Sequence, residues 1–170
     1  MRISKAYWLW GLFPSEDTIL LNNIKARVQS VLRSPYFETH ITLSGPYLSI
    51  NNLYLDKLKS FCCSNNAVSL DINGYNFHQE KFKSFYISIK NSENLKKLRR
   101  NIYELNEKDI DDYYSPHISL SYGIHQIKEK KELILKLPKF NKPIKLSKIA
   151  LVDVDEEINK WRIIEGFDLN

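Results

Sequence analysis

The sequence predicts an α+β fold made of two similar halves that face each other across a cleft. Strand-like and helix-like segments alternate along its 170 residues, their order begins again near the middle of the chain, and one short histidine motif occurs in each half. We therefore expect a single domain whose pseudo-symmetric lobes are built largely from residues 1–77 and 78–170.

The first half begins with a buried strand and a helix. An apolar run over residues 6–13 predicts the strand, and Pro14 ends it. Ser15 is a suitable N-cap for the helix, because its hydroxyl can accept a hydrogen bond from a free N–H of the first turn. The apolar residues at helical spacing are Leu20, Ile24, Val28 and Val31.

A second strand, over residues 37–44, carries the first histidine and is expected to end at Gly45 and Pro46. A short second helix and a third strand complete this half. Apolar spacing places that helix around Leu55, Leu58 and Cys62, and that strand over Val68, Leu70 and Ile72.

The second half repeats the order with a strand over residues 82–90 and a helix capped by Ser92. The apolar stripe of this helix consists of Leu95, Leu98, Ile102 and Leu105. The remaining segments are, in order, an acidic and tyrosine-rich loop (109–115), a strand (116–122), a weaker helix (127–137) and two final strands (144–154 and 159–167).

The repeated motif is His40-Ile41-Thr42-Leu43 in the first half and His117-Ile118-Ser119-Leu120 in the second. The spacing between the two copies equals the spacing between Ser15 and Ser92. Because successive side chains of a strand point to opposite faces, each strand turns an imidazole and a hydroxyl to one face and two aliphatic side chains to the other. We therefore predict that two imidazoles and two hydroxyls converge on one cavity.

Such a cavity suits the hydrolysis of a phosphodiester. One imidazole can accept a proton from water while the other donates a proton to the leaving oxygen, and the hydroxyls can donate to the non-bridging oxygens. The scheme needs no metal and no cofactor, and neither motif has a third ligand at zinc spacing. We expect a bell-shaped pH profile with both limbs at about pH 5 to 8.

The histidines of the two motifs are also compatible with roles other than catalysis. A single strand histidine is more often structural than catalytic, but two of the four histidines share this context, which a purely structural α+β domain leaves unexplained. The main alternative is a non-catalytic RNA- or nucleotide-binding module. The matched hydroxyls beside both histidines argue against it.

The motifs resemble those of the 2H phosphoesterase superfamily, which has two His-x-Thr/Ser motifs on paired strands of a duplicated fold. The resemblance covers essentially the whole chain. Thr39 departs from the proline that the most similar branch, the cyclic phosphodiesterases of plants and yeast, often has before the first histidine. Flanking residues similar to that branch are Trp10-Gly11-Leu12-Phe13-Pro14, Pro116, Tyr122, Trp161 and Phe167.

The resemblance implies a bilobal fold with an antiparallel sheet in each lobe, helices outside and a central cleft. It implies that His40, Thr42, His117 and Ser119 carry the reaction, with His117 as base and His40 as acid, and that Tyr122 helps to bind phosphate. The implied substrate is a cyclic phosphate, either a 2',3'-cyclic nucleotide or ADP-ribose cyclic phosphate. Other branches act on 2',5'-oligoadenylate, cyclic oligonucleotide signals or RNA ends.

Several further residues have competing interpretations. Trp10 is either a core residue or a surface on which a nucleobase stacks. His78 and His125 are expected in loops or on the surface. Four cationic residues of the third helix are expected to form a solvated face, with attraction of RNA as the alternative: Lys96, Lys97, Arg99 and Arg100.

Composition bounds the class of protein. With 43% apolar and 26% charged residues the chain is typical of a soluble domain, and its net charge of +5 is compatible with anionic ligands without requiring them. The apolar run at 6–13 is too short to span a bilayer, and the adjacent Cys62 and Cys63 exclude a disulfide framework. We expect a cytoplasmic monomer with no membrane association, whose partner is a small nucleotide or oligonucleotide, including RNA ends.

Overall fold

A computed structural model describes residues 5–108, 110 and 113–170. The strands in these ranges are β1 (Ala6–Leu12), β2 (Ile41–Tyr47), β3 (Val68–Leu70), β4 (Ile72–Phe77), β5 (Phe85–Ile89), β6 (His117–Ser121), β7 (Ile144–Leu146), β8 (Lys148–Val154) and β9 (Arg162–Asp168). The α-helices are α1 (Ser15–Gln29), α2 (Asn52–Cys63), α3 (Glu93–Leu105) and α4 (Ile127–Lys136), and a short 3-10 helix covers Ile158–Lys160.

Seven strands form one antiparallel sheet in the order β4-β5-β6-β2-β1-β8-β9, while β3 and β7 form a separate two-stranded sheet. The motif strands β2 and β6 are neighbours at the centre and are joined through the pair Ile41 and Ile118. Three strands lie on one side of this junction and four on the other. The α+β class and an antiparallel sheet in each half are therefore confirmed.

The two halves of the sheet are not the two halves of the sequence. β4 precedes residue 78 but pairs with β5, whereas β8 and β9 follow it and extend the sheet from β1. Each half of the sheet therefore contains strands from both halves of the chain. The strands from the start and the end of the sequence are therefore hydrogen-bonded into one sheet.

The main core lies on one face of the sheet, beneath the helices. Ile41, Leu43, Ile118 and Leu120 are at most 1% exposed and belong to this core together with apolar side chains of α1, α2 and α3. Each such burial contributes about 1.5–3 kcal/mol. The predicted alternation along both motif strands is confirmed, and the histidines and hydroxyls are left to the opposite face.

The two helices predicted to have serine caps begin differently. Ser92 is the N-cap of α3, and its hydroxyl accepts a hydrogen bond from the N–H of Leu95. The cap predicted at Ser15 is wrong, because α1 begins at Ser15 itself with Pro14 in the cap position and without a side-chain cap. The extended backbone of Pro14 precedes the helix, and its carbonyl accepts from the N–H of Thr18.

Several strand limits also differ from the prediction. β2 begins after His40 and continues through Gly45 and Pro46 to Tyr47, which pairs with Tyr7 of β1. Gly45 has a φ of 126°, a backbone conformation that glycine adopts without steric strain, so the strand can bend at this residue and continue. The strand predicted over Val68, Leu70 and Ile72 is instead two strands, β3 and β4, which lie in different sheets.

The loop predicted at 109–115 is described only in part, because residues 109, 111 and 112 lie outside the described residues. Within the described ranges, none of the helices combines the length and apolar character needed to cross a membrane.

Candidate active site

A cavity of about 480 Å³ lies over the junction of the two motif strands. All six residues predicted for the site line it: Trp10, His40, Thr42, His117, Ser119 and Tyr122. The single pair that joins Ile41 to Ile118 sets the two motifs side by side. Since the motif residues on either side of this pair face away from the core, both imidazoles and both hydroxyls open into the same space. The predicted convergence on one cavity is confirmed.

Both histidines are oriented in the same way by the backbone. His40 Nδ1 lies 2.6 Å from the carbonyl oxygen of Glu38, and His117 Nδ1 lies 2.8 Å from that of Ser115. A carbonyl oxygen can only accept, so Nδ1 of each ring carries the proton and donates. Nε2 of each ring is then the nitrogen that can take up or release a proton in the cavity.

His40 is held in the more enclosed environment of the two. It is 6% exposed, and its ring stacks on that of Trp10 with the centroids 3.6 Å apart and an angle of 6° between the planes. Burial is the main factor that lowers the pKa of His40, to about 3, and the charge of Lys25 and the proximity of His117 lower it further. The hydrogen bond to Glu38 acts in the opposite direction. His40 is therefore neutral at physiological pH.

Lys25 is a buried residue near this histidine. Its ammonium donates to the carbonyl of Phe37 and lies 3.8 Å from the centroid of the Phe37 ring. Burial lowers the pKa of Lys25 to about 8, so most of the side chain is still charged at pH 7. That charge opposes protonation of His40.

His117 is more accessible than His40. It is half-buried, and its ring meets the edge of the Tyr86 ring at a centroid distance of 5.2 Å. Burial lowers the pKa of His117, the bond to Ser115 raises it, and the charges of Lys83 and His78 lower it. Lys83 donates to the Ser115 hydroxyl at 3.0 Å, so a cation lies close to this side of the cavity.

The hydroxyls differ in their surroundings. Ser119 is 5% exposed and hydrogen-bonds with the phenol of Tyr122, while Thr42 is half-buried. Burial raises the pKa of Tyr122 and the hydrogen bond with Ser119 opposes this effect. The phenol therefore keeps its proton at neutral pH and can act as a donor.

Aromatic side chains form one wall of the cavity. Trp10 is 3% exposed and stacks on His40, so this face of its ring is not free for a nucleobase. Trp161 is half-buried and meets the edges of Trp10 and Tyr122, each with centroids 5.8 Å apart. Phe82 lies nearly parallel to Trp161 with the centroids 6.3 Å apart. Trp161 and Phe82 are thus the better placed of these rings to meet a ligand.

Arg99 is a cavity residue that the sequence reasoning missed. It was expected on the solvated face of α3, but it is 5% exposed and lines the cavity. Its Nε donates to the carbonyl of Leu43 at 2.8 Å. A signal was present in the sequence, because Arg99 comes four residues after Leu95 and three before Ile102 and so belongs to the buried face.

The other two histidines do not line the cavity. His78 is exposed and 3.6 Å from Glu80, and half-buried His125 is 3.1 Å from the Ser121 hydroxyl. The expectation for both is met in so far as neither joins the site. In the part of the chain that the structure describes, no three His, Cys, Asp or Glu side chains are grouped so that they could hold a metal ion.

Residues 13–157 match the family described as the 2'-5' RNA ligase superfamily. No curated protein matches the sequence at a significant level. Among solved structures, the Escherichia coli LigT structure with 3'-AMP matches with a TM-score of 0.62 and 13% identity and covers 99% of each chain. The TT0787 protein of Thermus thermophilus matches with a TM-score of 0.62 and 16% identity over 96% of this chain and 97% of its own. A structure described as a phosphoesterase matches with a TM-score of 0.63 and 12% identity over 98% and 99%. At these identities the structures establish the fold.

Proposed function

Since this chain belongs to the 2'-5' RNA ligase superfamily, we propose that it is a metal-independent phosphodiesterase that hydrolyses a cyclic phosphate by two-histidine acid–base catalysis. The observation that carries the proposal is the matched pair of histidines. Both hold Nδ1 on a backbone carbonyl, which leaves both Nε2 atoms for proton transfer in one cavity.

The reaction uses both rings at once. One imidazole takes a proton from water as the water oxygen forms a bond to phosphorus, and the bond from phosphorus to one ribose oxygen breaks. The second ring, protonated, gives its proton to that oxygen, so the product is a nucleoside monophosphate. Thr42, Ser119 and the Tyr122 phenol can donate to the non-bridging oxygens as negative charge develops there.

The unequal burial of the rings favours His40 as the base and His117 as the acid. A base must start neutral, and the low pKa of His40 keeps it so. The acid must start protonated, which is easier for the half-buried His117, particularly beside an anionic phosphate. This assignment is the reverse of the one that the family resemblance implied.

The aromatic side chains of the cavity wall support a nucleotide substrate. Trp161 and Phe82 can contact the faces of a nucleobase, since each is half-buried at the cavity. The 3'-AMP in the LigT structure is a nucleoside 3'-phosphate, which is one of the two products of opening a 2',3'-cyclic phosphate. We therefore place 2',3'-cyclic nucleotides first, then ADP-ribose cyclic phosphate. Alternative substrates are 2',5'-oligoadenylate, cyclic oligonucleotides and RNA ends.

The test is product analysis in ¹⁸O-labelled water with a chelator present. The protein is incubated with each of these substrates, and the expected product carries a phosphomonoester group with one ¹⁸O atom. His125→Gln is the matched control and should behave like the wild type, because His125 lies outside the cavity and is not among the groups that shift the pKa of His117. Hydrolysis that stops on chelation and returns with zinc or manganese would contradict the mechanism. Tight nucleotide binding without turnover would favour the binding-module alternative.

A further inference from the structure

Arg99 brings a cation into the cavity that the two-histidine reaction does not require. Its side chain is 5% exposed, and among the described residues it has no carboxylate within ion-pair distance. An arginine keeps its charge at all physiological pH values. A buried charge that has no carboxylate partner among the described residues is costly, so this part of the cavity favours an anionic ligand.

The local contacts fix the guanidinium but leave most of its donors available. Nε donates to the carbonyl of Leu43, and the guanidinium carbon lies 3.5 Å from the centroid of the Tyr114 ring. Tyr114 is held in turn, because its hydroxyl donates to the carbonyl of Thr42 at 2.7 Å. A guanidinium has five N–H donors, and of these only Nε has a hydrogen-bond partner among the described residues, so the four donors of the two terminal nitrogens can bind a ligand.

Arg99, which lies in α3, contacts β2 at a point away from the reacting centre. Its bond to Leu43 lies beyond Thr42 on the side away from His40, next to Ser44, which also lines the cavity. Each residue of a strand advances about 3.3 Å, so Leu43 lies about 10 Å along the chain from His40. The aromatic wall of Trp161 and Tyr122 instead contacts His40 through Trp10 and Phe37.

We propose that Arg99 binds a second anionic group of the substrate, so that the enzyme prefers a cyclic phosphate that carries another phosphate over a cyclic mononucleotide. This rests on the proposed function. A fork of paired N–H donors held in place by an aromatic ring fits the oxygens of a phosphate. The substrate class is then a 2',3'-cyclic nucleotide with a 5'-phosphate, or a short oligonucleotide that ends in a cyclic phosphate.

The experiment compares 2',3'-cyclic AMP with its 5'-phosphorylated form on the wild type, Arg99→Met and Arg99→Lys. The wild type should prefer the 5'-phosphorylated substrate by about tenfold to a hundredfold in kcat/KM. Arg99→Met should remove this preference and change kcat/KM for 2',3'-cyclic AMP by less than about threefold. Arg99→Lys, which keeps the charge without the fork, should be intermediate.

Arg100→Met is the matched control, because Arg100 is the next residue of α3, is exposed, and does not line the cavity. It should keep the preference. An equal loss on both substrates in Arg99→Met would overturn the proposal, since Arg99 would then act on the reacting phosphate or only support β2. So would a wild type without any preference. If the wild type hydrolyses neither substrate, the proposed function fails, and binding of inorganic pyrophosphate to the wild type but not to Arg99→Met still tests the anion site by itself.

Discussion

The two histidine motifs are nearly identical in sequence, yet they lie in different surroundings. His40 precedes β2, is 6% exposed, and is enclosed by the ring of Trp10 and the edge of Phe37. His117 begins β6, is half-buried, and has Tyr86 at its edge and Lys83 close by. What the copies share is the hydrogen bond from Nδ1 to the carbonyl two residues before the ring.

This comparison separates what the motif itself provides from what its neighbours provide. The local backbone geometry fixes the tautomer in both copies, because the carbonyl partner lies two residues before the ring in the same segment. The degree of burial comes from other elements, since Trp10 lies in β1 and Lys25 in α1. A duplicated motif can therefore supply an acid and a base without any difference in the histidines themselves.

The largest effects should come from removing either ring. His40→Ala and His117→Ala are each expected to lower kcat by about a hundredfold to ten-thousandfold, since each proton transfer is lost outright. The double variant should be little worse than either single one, because the two rings act as a unit. Steady-state kinetics on a 2',3'-cyclic nucleotide measures this. Additive losses would show that the two histidines act independently.

Removing either hydroxyl of the cavity should have the next largest effect on kcat. Thr42→Ala and Ser119→Ala are each expected to lower kcat by about tenfold to a thousandfold, as for the loss of a donor to developing negative charge. Ser121→Ala is the matched control, because its hydroxyl is buried in the same strand but does not line the cavity. If Thr42→Ala or Ser119→Ala raises KM alone, that hydroxyl positions the substrate instead.

The stacked tryptophan should set the proton affinity of His40. Trp10→Leu exposes this ring to water, so the pKa of His40 should rise from about 3 toward 6.5. NMR titration of the His40 ring measures the shift directly, and kcat/KM near pH 5 should fall several-fold as part of the base becomes protonated. Trp8→Leu is the control, because Trp8 lines the cavity without a ring contact to His40 among those described. An unchanged titration in Trp10→Leu would contradict this account.

The pH profile of the wild type should differ from the one that the sequence suggested. Burial lowers the pKa of His40 to about 3 and also lowers that of His117, so the acidic limb of kcat/KM in the free enzyme should lie near pH 3 and the basic limb below pH 6.5. Activity should decline as pH rises through the pKa of His117. Two limbs that both lie above pH 6.5 would contradict the burial of the rings.

The last expected effect concerns the free energy of unfolding. The folded state keeps His40 neutral down to about pH 3, whereas the unfolded chain takes up a proton below 6.5, so stability is lost as the pH falls through this range. The loss between pH 6.5 and 4 is about 3 kcal/mol from this group. Chemical denaturation should show a shallower slope of unfolding free energy against pH for His40→Gln than for the wild type. Equal slopes in the two proteins would contradict the low pKa of His40.

Local pattern predicted what depends on local geometry. The alternation of His40, Thr42 and their aliphatic neighbours, the cap at Ser92 and most of the apolar stripes of the helices follow from strand or helix periodicity. Val31, which was predicted for the stripe of the first helix, is an exception, because α1 ends at Gln29 and Val31 is 46% exposed. Ser15 failed as a cap because Pro14 already holds that position. The same Ser-Glu pair can therefore begin a helix in different ways, depending on the residue before it.

The remainder depends on contacts between distant segments. Arg99 and Lys25 are polar by type, and the sequence alone does not show that the carbonyls of Leu43 and Phe37 lie within their reach. Likewise, Trp10 was left between a core role and base stacking, and its stacking on His40 required the register of β1 against β2. The pairing of β1 with β8, and of β4 with β5, also joins the two halves of the sequence and could not be predicted from local pattern.

The division of labour between the two rings is tested most directly by changing the leaving group. A nucleoside phosphodiester with a 4-nitrophenyl leaving group needs no protonation of that group, so it dispenses with the acid but not with the base. With chelator present, His117→Ala should hydrolyse this ester within about tenfold of the wild type, while His40→Ala should stay at least about a hundredfold slower. Rescue of His40→Ala instead, or of neither variant, would contradict the assignment of His40 as base and His117 as acid.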